Sequence, residues 1–79
     1  MSVAISHDRK AVELTWDDKL VVGDTVNIRC VNPDGGDVST RKADNDGRAT
    51  VTFPKDYSGS CEVTVSGSDS GEDTGTISV

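Results

Sequence analysis

Aromatic residues are nearly absent from this chain: Trp16, Phe53 and Tyr57 stand once each in 79 residues. With so few rings, the stacking surfaces that hold single-stranded nucleic acids have no material to be built from. Basic charge is also short, with eight Lys and Arg against fourteen Asp and Glu and a net charge of −6. The cations Arg9, Lys10, Lys19, Arg29, Arg41, Lys42, Arg48 and Lys55 are dispersed and form no stripe, which argues against a nucleic-acid partner. Histidine occurs once, as His7 beside Asp8, and nothing supplies the nucleophile–base–orienter arrangement of a hydrolase, so His7 reads as a surface residue. Two cysteines, Cys30 and Cys61, fall short of the four ligands of a structural zinc site. No apolar run approaches a membrane span, and residues 1–10 hold no apolar core of the kind a signal peptide needs. The mature protein either starts at Met1 or is a piece of something larger to which Met1 was added. Nowhere do apolar residues recur at helical spacing over three turns, which excludes an amphipathic helix.

What the chain does have is strict alternation. Val26, Ile28 and Cys30 alternate with Asn27 and Arg29; Ala49, Val51 and Phe53 with Thr50 and Thr52; Cys61, Val63 and Val65 with Glu62 and Thr64. A period of two puts each apolar set on one face of a strand and its polar neighbours on the other. Val12, Leu14 and Trp16 alternate in the same way, so the tryptophan is expected in the core. Turn signals separate the strands: Asp17-Asp18-Lys19, Asn32-Pro33-Asp34-Gly35-Gly36, and Asp44-Asn45-Asp46-Gly47, which reads as a tight hairpin. Strands are expected over 2–6, 11–16, 24–31, 38–42, 48–53, 60–66 and 75–79. The apolar-free stretch from Ser66 to Gly75 reads as a solvated, mobile loop. Seven short strands without a helix predict an all-β, antiparallel β-sandwich forming one domain. Its core is expected to hold Trp16, Val26, Ile28, Val51, Phe53, Val63 and Val65.

Both cysteines fall on the apolar face, so the parity places them where two facing sheets meet and predicts a disulfide between Cys30 and Cys61. Closing a loop of roughly 30 residues would stabilise so small a domain by about 3–4 kcal/mol. The alternative is two buried, reduced thiols packing as small hydrophobes. Other chemistry finds little footing. An EF-hand reading of the turn at Asp44 fails because the twelfth position is Lys55, not a bidentate Glu. Asp34 and Asp37 do not complete the oxygen cage, and Gly35-Gly36 precedes a strand, not the helix of a phosphate loop. Tyr57, in a turn, is freer than Trp16, yet one exposed aromatic makes no carbohydrate site. Neither a cofactor nor a metal is expected, and no enzymatic activity.

The segments Gly23-Asp-Thr-Val-x-Ile-x-Cys30, Asp46-Gly-Arg-Ala-Thr-Val-Thr-Phe53, Asp56-Tyr-Ser-Gly-Ser-Cys-x-Val-x-Val65 and Gly75-Thr-Ile-Ser-Val79 resemble an immunoglobulin-like domain of the bacterial and bacteriophage type. The resemblance covers roughly residues 11 to 79 and places Cys30 and Cys61 on the family's B and F strands. Trp16 precedes the first cysteine, and Tyr57 lies four residues before Cys61 where a tyrosine corner needs two. Both departures point away from antibody-like domains and toward the looser microbial type. The resemblance implies a non-catalytic accessory of a bacteriophage particle, such as a decoration protein on the virion surface. Its partner would be the major capsid protein or another shell protein, with self-association a further option. The other implied role is a binding or spacer domain of a bacterial cell-surface adhesin or secreted protein.

Overall fold

A computed structural model describes residues 2–5, 11–54 and 56–78. Its strands are β1 (Ser2–Ile5), β2 (Ala11–Thr15), β3 (Thr25–Val31), β4 (Asp37–Asp44), β5 (Arg48–Thr52), β6 (Ser60–Gly67) and β7 (Glu72–Ser78). No helix occurs among the described residues. The strands form two antiparallel sheets, β1-β2-β5 and β4-β3-β6-β7, arranged as a β-sandwich. His7 and Lys55 lie outside the described residues.

The alternating residues of the sequence become the two inner faces. Val12 and Leu14 of β2 and Val51 of β5 look toward Val26 and Ile28 of β3 and Val63 and Val65 of β6, all at most 1% exposed. Trp16 and Phe53, just past the ends of β2 and β5, are buried with them. Val21 and Ile77 complete the core from positions that carry no alternation signal or a single apolar residue. Each fully buried aliphatic side chain contributes about 1.5–3 kcal/mol relative to exposure.

Three expectations are corrected. Cys30 and Cys61 do not bridge the sheets: both are buried free thiols, on β3 and β6, which are neighbours in one sheet. Cys30 is paired in register with Val63, so Cys61 stands two residues along β6 as a diagonal neighbour. Diagonal residues are typically about 7–8 Å apart, beyond the Cα separation a disulfide spans. Second, Asp44–Gly47 is not a hairpin. β4 pairs with β3 and β5 with β2, so this turn carries the chain from one sheet to the other. Third, the expected loop over 66–75 is mostly ordered sheet: β6 runs to Gly67 and β7 begins at Glu72, in unbroken register from Ser66↔Glu72 to Ser60↔Ser78.

Side chains of the edge strand β4 close one flank of the sandwich. Ser39 and Arg41 are the register partners of Cys30 and Ile28, and thus turn toward the interior face. Ser39 Oγ donates to the Thr52 carbonyl at 3.2 Å, and the Arg41 guanidinium donates to the Thr50 carbonyl. Edge β5 thereby has carbonyls occupied by its own chain. At one end of the sandwich, Asn45 ties together the β2–β3 and β4–β5 connections. Its Oδ1 accepts from Trp16 Nε1 at 2.9 Å, and its Nδ2 donates to the carbonyls of Val21 at 3.0 Å and Gly23 at 2.9 Å.

Candidate functional site

The polar half of the alternation builds the outer face of the four-stranded sheet. Asn27, Arg29 and Val31 of β3 point away from the core, as do Glu62, Thr64 and Ser66 of β6 and Thr74 and Thr76 of β7. All of these but Thr74 border, with the β3–β4 turn, an open groove of about 710 Å³, lined among others by Arg29, Asn32, Glu62, Thr64 and Thr76. A second depression of about 410 Å³ runs between β3 and β4, lined by Arg29, Thr40 and Lys42 among others. Arg29 therefore stands on the ridge between the two.

The groove's wall is set by local turn chemistry. Asn32 Oδ1 accepts from the backbone N–H groups of Asp34 at 3.0 Å and Gly36 at 2.9 Å. The Asn32 N–H in turn donates to the Gly36 carbonyl at 2.9 Å, so the side chain replaces backbone partners while the chain reverses. Arg29 Nε donates to Asp37 Oδ1 at 2.6 Å, with both side chains more than half exposed. An exposed pair of this kind adds at most about 1 kcal/mol and separates readily. Arg29 is thus positioned yet available. The face presents hydroxyls and amides, with the cations Arg29 and Lys42 and the carboxylates Asp37, Glu62 and Glu72. Such a face can hydrogen-bond and match charge against another surface.

Catalytic machinery is a different matter. Among the described residues, no group of three His, Cys, Asp or Glu is placed to hold a metal ion. Cys61 borders the groove but is 1% exposed. Burial pushes the Cys30 thiol up from 9.0 to about 11, and the adjacent Cys61 adds to the rise. Both effects keep it protonated at neutral pH, which is the unreactive form. Tyr57 is tied down: its hydroxyl donates to the Ser60 carbonyl at 2.6 Å, and its ring meets Phe53 edge-on at 5.8 Å. A hydrogen bond with the Cys61 thiol, followed by burial, raises its phenol above the ordinary value. The one turn aromatic therefore buttresses the core edge.

The thiols make an expected result of their own. A pKa raised on folding means stability fully present below the unfolded value and lost as pH climbs through the folded one. The urea midpoint should fall as pH rises from 9.0 to about 11, and the fall should shrink in Cys30→Ala. Non-reduced protein should show no reactive thiol when folded and both when unfolded. A pH-independent midpoint with no thiol released on unfolding contradicts this.

Alternation alone identifies Arg29, Glu62 and Thr64 as outward residues; that they line one groove with Thr76 depends on β3, β6 and β7 sharing a sheet. Asn45 and Asp73 carried no signal. Asn45 reads as an ordinary turn residue, and Asp73 lies in a polar stretch. Asp73 is 9% exposed, and its Oδ2 accepts from the Asp17 N–H at 3.3 Å. No family model matches the chain, and no match is found among curated proteins or solved structures.

Proposed function

We propose that this chain is a non-catalytic, immunoglobulin-like accessory domain that binds a repetitive protein surface through the outer face of its four-stranded sheet, as a decoration protein on a bacteriophage shell. The observation that carries the reading is that face. It belongs to the larger of the two sheets, it is grooved, and its mixed charges and hydroxyls suit a polar protein interface. The topology supports the immunoglobulin-like part. Lettering the strands A to G in chain order gives sheets ABE and DCFG and puts Cys30 on strand C, not on the B strand that the sequence resemblance assigned to it. Antibody constant domains divide as ABED and CFG, so the two arrangements differ only in the sheet joined by the fourth strand. The acidic balance and the sequence resemblance support a protein partner over a nucleic acid. A virion site is what that resemblance adds.

An interface on the order of 800 Å² per partner fits one sheet face. The protein should co-sediment with shells prepared without it and saturate at a fixed ratio to the major shell protein. Arg29→Glu and Glu62→Lys alter exposed side chains, so they should lower occupancy while the melting temperature stays put. Binding to a glycan or cell envelope, with none to shells, replaces this reading with the adhesin one.

A further inference from the structure

Sheet edges present unpaired N–H and C=O groups, and proteins ordinarily block them against strand addition. Three edges here have described side chains: β5, β4 and β7. Edge β5 is capped at the carbonyls of Thr50 and Thr52 by Arg41 and Ser39. Edge β4 carries four charged residues, Asp37, Arg41, Lys42 and Asp44, and its pairing with β3 shifts register at Cys30/Val31. Both are blocking devices. Edge β7 confines its charges, Glu72 and the inward-facing Asp73, to its first two residues. From Thr74 to Ser78 it holds no charge and no proline, and its pairing with β6 contains no bulge.

Charge decides what this edge accepts. Strands β6 and β7 contain no Lys or Arg, whereas Glu72 and Glu62 stand on their outer face, Glu62 opposite Thr76. A second copy would bring the same acidic rim and a net charge of −6 against it. An extended segment with lysine or arginine at alternate positions places its cations on the outer face beside those carboxylates. Its intervening apolar residues then extend the inner face next to Ile77, which is 1% exposed.

We propose that β7 is a docking edge that takes up an extended, alternately basic segment of a partner protein as a fifth strand of the four-stranded sheet. This rests on the reading of the domain as a protein-binding accessory and names the kind of segment it captures.

The probe is a terminally blocked peptide of about seven residues, one strand's length, alternating lysine and valine. Mixed with the labelled full chain, it should slow amide exchange in residues 72–78. Affinity should fall roughly tenfold or more when glutamate replaces lysine in the peptide, or when the protein carries Thr74→Lys and Thr76→Lys together. Both threonines are exposed, so that variant should melt like the parent, and a Thr74→Val/Thr76→Val protein should still bind. No binding overturns the proposal. So does protection centred on β4, or equal affinity for a peptide with prolines at the valine positions, which cannot donate ladder hydrogen bonds. Dimerisation through β7 without peptide shows the occupant to be a second copy and overturns it as well. If the Thr74→Lys/Thr76→Lys protein still saturates shells normally while Glu62→Lys does not, the edge proposal fails and the proposed function stands.

Discussion

Asn45→Ala should remove on the order of 3 kcal/mol of folding stability, because three polar groups lose their partner at once, at about 1–3 kcal/mol for each one left fully buried. The Trp16 indole belongs to a side chain only 7% exposed and loses its acceptor; the Val21 and Gly23 carbonyls lose their donor. The carbonyls regain some water, which keeps the sum at the low end of the about 3–9 kcal/mol that three such groups would cost if all stayed buried. A domain of this length has about 4–12 kcal/mol in total, so the midpoint of melting should drop by roughly 12–24 °C. Asn45→Asp keeps an acceptor for Trp16 but sets a carboxylate against two carbonyls, and should be at least as damaging. In a cycle with Trp16→Phe, the two changes should cost less together than the sum of each alone, since they share one hydrogen bond. A loss below about 1 kcal/mol in Asn45→Ala would show that this amide does not hold the two connections together.

Gly67→Ala should cost about 1–3 kcal/mol, toward the upper end for an overpacked site, because the atoms in the way are backbone. A Cβ at residue 67 meets the Val22 N and O, with the Ser70 carbonyl 2.6 Å away. The segment around Val22 is held there by hydrogen bonds from Val22 N to the Ser70 carbonyl and from Asp69 N to the Val22 carbonyl, each 2.9 Å. The methyl therefore has to lift the β2–β3 connection from the β6–β7 turn. Amide exchange at Val22 and Asp69 should accelerate more than exchange in β3. The comparison is Gly47→Ala, where an added Cβ meets nothing and only the positive φ of 90° opposes it. Equal costs at the two sites would contradict the crowding argument.

These two residues also mark where the sequence stops being legible. Alternation reports which face of a strand a residue occupies. It does not report which sheet the strand joins. Cys30 and Cys61 accordingly read as facing each other, when β3 and β6 lie side by side. Asp44–Gly47 has the composition of a reversal, and the chain does turn there. Turn chemistry, however, is local, and only the pairing of β5 with β2 makes it a passage between sheets. The strand expected over 75–79 in fact begins at Glu72, and its start was hidden because the inward positions Asp73 and Gly75 are not apolar. The groove residues Arg29, Glu62 and Thr64 were visible singly as the polar half of two strands, and Thr76 carried no such pattern. Their convergence depends on long-range pairing that no short window of sequence contains.

The claim that the four-stranded sheet is the working surface is tested most directly by carboxylate footprinting of shell-bound protein with a water-soluble carbodiimide and glycinamide. Glu62 and Glu72 stand on that sheet's outer face, and Glu13 is exposed on the outer face of the other sheet. The account predicts that shells remove most of the labelling at Glu62 and Glu72 and leave Glu13 as reactive as in the free protein; protection of Glu13 with Glu62 and Glu72 still labelled would contradict it.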